Sequence, residues 1–187
     1  MSNLDIVGLC GSLRAASLNR MLLKLASASM PQDMHMDIVE WRDLPPFDAD
    51  LLAAQGMPAS VVALRERIRR ADGVVIATPE YNYSIPGMLK NAIDWISRGE
   101  DQPFSKKPVA ILSATPGPRG GARVQYDLRK VLLYVNAMTL VKPEVFIGDA
   151  AAKFDAAGLC TDEATRRVVT GQMDAFAKWI AAVQRMN

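Results

Sequence analysis

Residues 77–98, with the sequence ATPEYNYSIPGMLKNAIDWISR, indicate the end of a strand followed by an exposed loop and a helix. The apolar run at 73–77 is rich in valine and isoleucine, which is typical of a strand buried on both faces. Polar and aromatic residues end it at 79–84, and Pro86 is well placed in the first turn of a helix. The buried face of that helix would consist of Leu89, Ala92, Ile93 and Ile96. Ligands of open parallel sheets bind at the carboxyl ends of the strands, so this loop is a candidate ligand-binding loop.

The aromatic residues of this loop allow two interpretations. Tyr81, Asn82 and Tyr83 are suited to border a flat ring, and backbone N–H groups of the loop can bond the edge of such a ring. Alternatively, the tyrosines pack on the surface of an ordinary loop, and their spacing alone does not decide between the two. Glu80 is the only acidic residue in the loop. Either its carboxylate acts as a general base, or the residue contributes to the site through its backbone.

Composition predicts an ordinary globular protein with a single domain over 1–187. Half of the residues are apolar and 22% are charged. The net charge of +2 is too small to indicate a nucleic-acid surface. The densest basic patch, at 65–70, has helical spacing and is interpreted as a solvated helix face.

The two cysteines, Cys10 and Cys160, are too few and too far apart for a disulfide framework or a metal signature. They favour a reduced, cytoplasmic compartment. Cys10 ends a strand and is interpreted as a small buried hydrophobe, and His35, placed just before the second strand, as a solvated side chain. No signal peptide is recognised, and no apolar run approaches the ~20 residues that span a membrane.

Strands and helices alternate along the whole chain. Apolar runs predict strands at 4–9, 36–39, 73–77, 107–113 and 139–147, with helices between them and a closing helix over 161–186. The segment 41–57 is expected to be mostly loop, and Pro143 places the fifth strand at a sheet edge. The pattern predicts a five-stranded parallel sheet in the flavodoxin-like order 2-1-3-4-5, with helices on both faces.

The loop at 11–19 leads into a helix and offers free N–H groups to an anion. Ser12, Ser17 and Asn19 add hydrogen-bonding side chains, and Arg14 adds a fork for phosphate oxygens. Neither a Walker loop nor the dinucleotide fingerprint is present. The alternative is that Ser17 and Asn19 only cap the helix and that Arg14 is solvated.

The loop at 113–121 faces the same crevice at the carboxyl edge of the predicted sheet. Its glycines either allow close approach of a ligand or form an ordinary turn.

Together, GSLRxxSxN at 11–19, PEYNYSIPGxLKNAIDW at 79–95 and GGAR at 120–123 resemble the NADPH-dependent FMN reductases, in particular the bacterial quinone and chromate reductases. The resemblance covers most of the chain. It implies a flavodoxin-like three-layer sandwich that holds FMN without a covalent bond. It also implies a cofactor-binding set: Gly11, Ser12, Leu13, Arg14, Ser17, Asn19, Pro79, Glu80, Tyr81, Asn82, Tyr83, Ser113 and Gly117.

Within that set, the resemblance assigns the FMN phosphate to Ser12, Arg14, Ser17 and Asn19. It places 79–83 beside the isoalloxazine, with Ser113 and Gly117 on the other side of the ring. The cofactor supplies the chemistry, so neither a catalytic side chain nor a metal is expected.

The implied activity is an FMN-dependent NAD(P)H oxidoreductase with ping-pong hydride transfer. The electron acceptor is left open among quinones, chromate, azo compounds and free flavin. The hydride donor is left open between NADPH and NADH. The family resemblance also implies a homodimer, or a dimer of dimers. The alternatives are a non-enzymatic flavodoxin-like electron carrier, against which Arg14 and the basic balance argue, and a sensor or scaffold that binds no flavin.

Overall fold

A parallel sheet forms the centre of the computed structural model, which describes residues 3–186. The strands are β1 (Leu4–Cys10), β2 (Met34–Val39), β3 (Gly73–Thr78), β4 (Pro108–Ala114), β5 (Met138–Thr139) and β6 (Val145–Ile147). Their order in the sheet is β2-β1-β3-β4-β5, and β6 also pairs with β4. The predicted α/β class and strand order are therefore confirmed.

Helices cover both faces of the sheet: α1 (Leu18–Ala28), α2 (Ala49–Gln55), α3 (Ala59–Arg70), α4 (Gly87–Ile96), α5 (Ala122–Tyr134) and α6 (Glu163–Gln184). Side chains alternate along β3, so Val74 and Ile76 pack with α3, α4 and α5, whereas Val75 and Ala77 pack with α1 and α6. The result is three layers with two apolar cores. Within residues 3–186, no helix combines the length and the apolar character that a membrane crossing needs.

The fifth extended segment differs from the prediction. Two short strands, β5 and β6, replace the single strand expected over 139–147, and Pro143 lies between them. Both pair with β4, at the end of the strand order. The predicted edge position is therefore confirmed. The prediction of one continuous strand is wrong, because proline has no N–H to donate to the hydrogen-bond ladder.

The segment 41–57 holds a helix that the sequence interpretation missed. α2 begins after Asp48, whose carboxylate accepts hydrogen bonds from the backbone N–H groups of Asp50 at 2.8 Å and Leu51 at 3.3 Å. Such a cap is a recognisable signal, but only seven helical residues follow it.

The expectation of a solvated helix face at 65–70 is wrong for its first residue. Arg65 is buried, and its guanidinium donates to the carbonyl oxygens of Ile96 and Asp101 and to the Asp101 carboxylate. It therefore ties α3 to the end of α4. His35 is exposed as expected, but it lies within β2 rather than before it.

Candidate active site

Three loops meet at the carboxyl edge of the sheet, because β1, β3 and β4 are adjacent and parallel. The register pairs Cys10 with Ala77 and Thr78 with Ser113. The N–H of Gly11 donates to the Ala77 carbonyl at 2.8 Å, so the first loop leaves its strand beside the second. The crevice predicted from the order of the strands is present.

The loop after β1 presents a row of free backbone donors. Within residues 3–186, the N–H groups of 15–19 have no protein acceptor. Ser17 caps α1 by accepting the Arg20 N–H at 3.3 Å, and the Ser12 hydroxyl accepts the Arg14 N–H at 3.4 Å. Consecutive free donors at a helix N-terminus form an anion cradle.

Two arginines near the cradle have different surroundings. Arg20 donates to both carboxylate oxygens of Glu40, at 2.5 and 3.0 Å. This hydrogen bonding raises the pKa of Arg20 and lowers the pKa of Glu40. Arg14 is exposed and has no ion pair within the described chain. Of these two arginines, Arg14 is therefore the one that remains available to a phosphate group.

Asn19 lies beneath the cradle rather than on its surface. Its side chain is buried, and both its Oδ1 and Nδ2 bond the backbone of Ala114. Nδ2 carries a second hydrogen that this pair of bonds does not use. The residue therefore fixes the cradle to the end of β4.

The aromatic loop after β3 folds into a tight hairpin turn. Tyr81 and Ser84 exchange backbone hydrogen bonds at 3.0 and 2.9 Å. Asn82 and Tyr83 have φ of 50° and 67°, the left-handed conformations that a two-residue type I′ turn requires. Tyr81 and Tyr83 are 46% and 67% exposed, so both rings are available to a ligand or a partner.

Glu80 is held across the crevice by α5. Its carboxylate accepts the backbone N–H groups of Arg123 at 3.1 Å and Val124 at 3.3 Å, and pairs with the Arg123 guanidinium at 3.2 Å. Gly121, the N-cap of α5, has no side chain that could accept these backbone N–H groups. The Arg123 guanidinium also lies 4.0 Å from the centre of the Tyr83 ring. Sequence reasoning missed this use of Arg123, although the GGAR motif marked the position.

The predicted role of Ser113 beside the ring needs correction. Ser113 has no exposed surface. Its hydroxyl donates to the Gly120 carbonyl at 2.5 Å and accepts from Gln125 at 2.8 Å. It therefore supports the loop at 115–121 from beneath. Gly117 lies on the crevice, a space of about 210 Å³ lined by Glu80, Thr115, Gly117, Pro118, Arg119, Gly121 and Arg123.

The described residues fit FMN. One anion cradle suits one phosphate monoester, and the turn at 81–84 with its two exposed tyrosines provides an aromatic wall beside it. Leu13 and Pro79 are partly buried within the same two loops.

A doubly wound parallel sheet with these loops at its carboxyl edge defines a flavodoxin-like flavoprotein oxidoreductase. A sequence model described as "NADPH-dependent FMN reductase" matches residues 4–152. The chain belongs to the NADPH-dependent FMN reductase family. Membership in a reductase family removes the alternative of a non-enzymatic electron carrier.

Relatives extend over nearly the whole chain. A quinone reductase of Escherichia coli K12 is 48% identical over 186 residues, which cover 97% of each protein. An NAD(P)H-dependent FMN reductase of Pseudomonas aeruginosa is 43% identical over 178 residues, covering 95% of this chain and 96% of that protein. The solved structure of FerB, a flavoenzyme NAD(P)H:(acceptor) oxidoreductase of Paracoccus denitrificans, has a TM-score of 0.87 and 38% identity, covering 96% of this chain and 98% of its own.

Proposed function

We propose that this single-domain chain binds FMN non-covalently and carries reducing equivalents from NADPH or NADH to a quinone. Chromate and free flavin are further acceptors in this proposal. The observation that carries it is the row of unpaired N–H groups at 15–19 beside the aromatic turn at 81–84. The names of the quinone-reductase relatives support the acceptor class.

In this proposal the phosphate binds at the N-terminus of α1. The free N–H groups, the hydroxyls of Ser12 and Ser17 and the Arg14 guanidinium hold its oxygens. Gly11 keeps this loop tight, because a Cβ there would lie 2.7 Å from the Thr78 hydroxyl oxygen. Asn19 orients the cradle through Ala114.

The isoalloxazine is proposed to lie between the turn at 81–84 and the loop at 115–121. Bound FMN supplies the redox chemistry by taking two electrons as hydride and giving them to an acceptor. Tyr81 and Tyr83 exclude water from one side of the ring, and loop N–H groups bond its edge. The Glu80 carboxylate is already occupied by three donors on α5, so we assign it no general-base role.

A second copy of this chain is the proposed partner, as a homodimer or a dimer of dimers. A groove of about 600 Å³ between α4 and α5 begins at Ser84 and Ile85, directly after the aromatic turn. Leu133 and Tyr134, at the end of α5, are 77% and 83% exposed, and we propose that the second copy buries them. We propose no nucleic-acid or membrane partner. A reduced, cytoplasmic compartment is proposed, and the free thiols of Cys10 and Cys160 support it.

The proposal is tested with purified protein. The expected result is a yellow protein that binds FMN more tightly than FAD in a fluorescence titration, since the cradle accommodates one phosphate. It should oxidise NADPH steadily when supplied with a quinone. A colourless protein that does not take up FMN would contradict the proposal and favour the sensor or scaffold alternative.

A further inference from the structure

Glu80 and Arg123 form an ion pair that joins two walls of the crevice. Glu80 belongs to the loop after β3, and Arg123 to the first turn of α5, 43 residues further along the chain. Their side chains are 12% and 39% exposed, and both line the crevice. Opposite charges are thus fixed at the surface against which the ring is proposed to bind.

The pair is held in place from both sides. Two backbone N–H groups of α5 orient the Glu80 carboxylate, and the face of the Tyr83 ring supports the Arg123 guanidinium. Because partly buried charges are screened less than exposed ones, both act on a charge that develops nearby. Such fixed charges act without reorganising when electrons arrive.

We propose that Glu80 and Arg123 each shift the reduction potential of the bound FMN, in opposite directions, so that in the native pair one charge offsets the other. This inference rests on the proposed function. Oxidised FMN takes up two electrons and one proton, delivered as hydride from NADPH with release of NADP⁺, and becomes an anion. Glu80 disfavours that anion and lowers the potential, whereas Arg123 favours it and raises the potential. In the native pair the two effects oppose each other.

The test measures the two-electron midpoint potential of bound FMN at pH 7 in Glu80→Gln, Arg123→Gln and the double variant. The first should raise the potential and the second should lower it. Each shift should correspond to roughly a tenfold change in the ratio of affinities for reduced and oxidised FMN, or about 30 mV. The double variant should return close to the wild-type value.

Conservative variants separate the effect of side-chain charge on the potential from the effect of side-chain shape. Glutamine at position 80 keeps an oxygen that accepts from the N–H groups of α5. Arg123→Lys keeps the positive charge, so its potential should stay closer to wild type than that of Arg123→Gln. A matched control is the pair Glu66 and Arg70, whose side chains are 2.6 Å apart on α3, before the amino end of β3. Glu66→Gln and Arg70→Gln should leave the potential unchanged.

Two outcomes would overturn the inference. If Glu80→Gln and Arg123→Gln shift the potential in the same direction, the pair acts only by holding the loops together. If both variants bind FMN with the wild-type potential, the charges do not reach the ring. Wild-type protein that binds no FMN would instead refute the proposed function, so the two failures are distinguishable.

Discussion

The Asn19 side chain holds the backbone of Ala114 in a two-point contact across 95 residues of sequence. Nδ2 donates to the Ala114 carbonyl at 2.8 Å, and Oδ1 accepts the Ala114 N–H at 2.9 Å. Asn19 lies in the first turn of α1 and Ala114 is the last residue of β4. The contact therefore fixes the proposed phosphate cradle relative to the loop on the other side of the crevice.

Replacing Asn19 with alanine should lower the free energy of unfolding by about 2–4 kcal/mol, because two backbone groups of Ala114 lose their partners in a buried setting. Chemical denaturation of the FMN-free protein measures this loss without a contribution from ligand binding. Asn3→Ala, at an exposed position before β1, is the control. A loss no larger than that of the control would show that water replaces both hydrogen bonds.

Replacing Arg14 with alanine should weaken FMN binding about tenfold or more. A charge-assisted contact with phosphate contributes roughly 1.5–3 kcal/mol, and Arg14 has no ion pair to lose among residues 3–186. Fluorescence titration gives the dissociation constant, and thermal unfolding of the apoprotein should be unchanged. Arg167→Ala, an exposed change on α6, is the matched control. Equal affinities of Arg14→Ala and wild type would remove Arg14 from the phosphate site.

Acid should destabilise the protein partly through Asp162, the N-cap of α6. The hydroxyl and backbone N–H of Thr165 donate to its carboxylate and lower its pKa below the ordinary value of 3.8. The unfolded chain therefore binds more protons in this window. The stability that Asp162 contributes is complete above pH 3.8 and is lost as the pH falls through the lowered pKa.

Asp162→Asn should remove that part of the pH dependence while keeping a side-chain oxygen for the cap. The measurement is the free energy of unfolding of wild type and variant from about pH 6 down to about pH 2. The control Asp174→Asn, on an exposed face of the same helix, makes the same change in charge. Parallel curves for wild type and Asp162→Asn would contradict the assignment.

NADPH and quinone should exclude each other, because Glu80, which precedes the aromatic turn, and the loop at 115–121 line one crevice. Initial rates against NADPH at several fixed quinone concentrations should give parallel double-reciprocal lines, the signature of ping-pong kinetics. Intersecting lines would indicate a ternary complex and rule out a single shared slot.

Periodicity and residue type were sufficient to predict the strand order, the alternation of strands and helices and the three loops at the carboxyl edge. These features depend on contacts between neighbours in sequence and on general rules for parallel sheets. The interruption at Pro143 had a chemical signal in the sequence, but its consequence, two strands rather than one, depended on how each half reaches β4.

The sequence by itself determined which residues reach the crevice edge, because a strand end and a helix start define a loop. Only the tertiary structure decided what those side chains do there. Glu80 caps a helix that starts 42 positions later, Ser113 lies under its loop, and Arg65 is buried. A polar side chain takes whichever donor or acceptor the folded chain brings within about 3 Å. Such partners are distant in sequence, so local sequence patterns do not predict them.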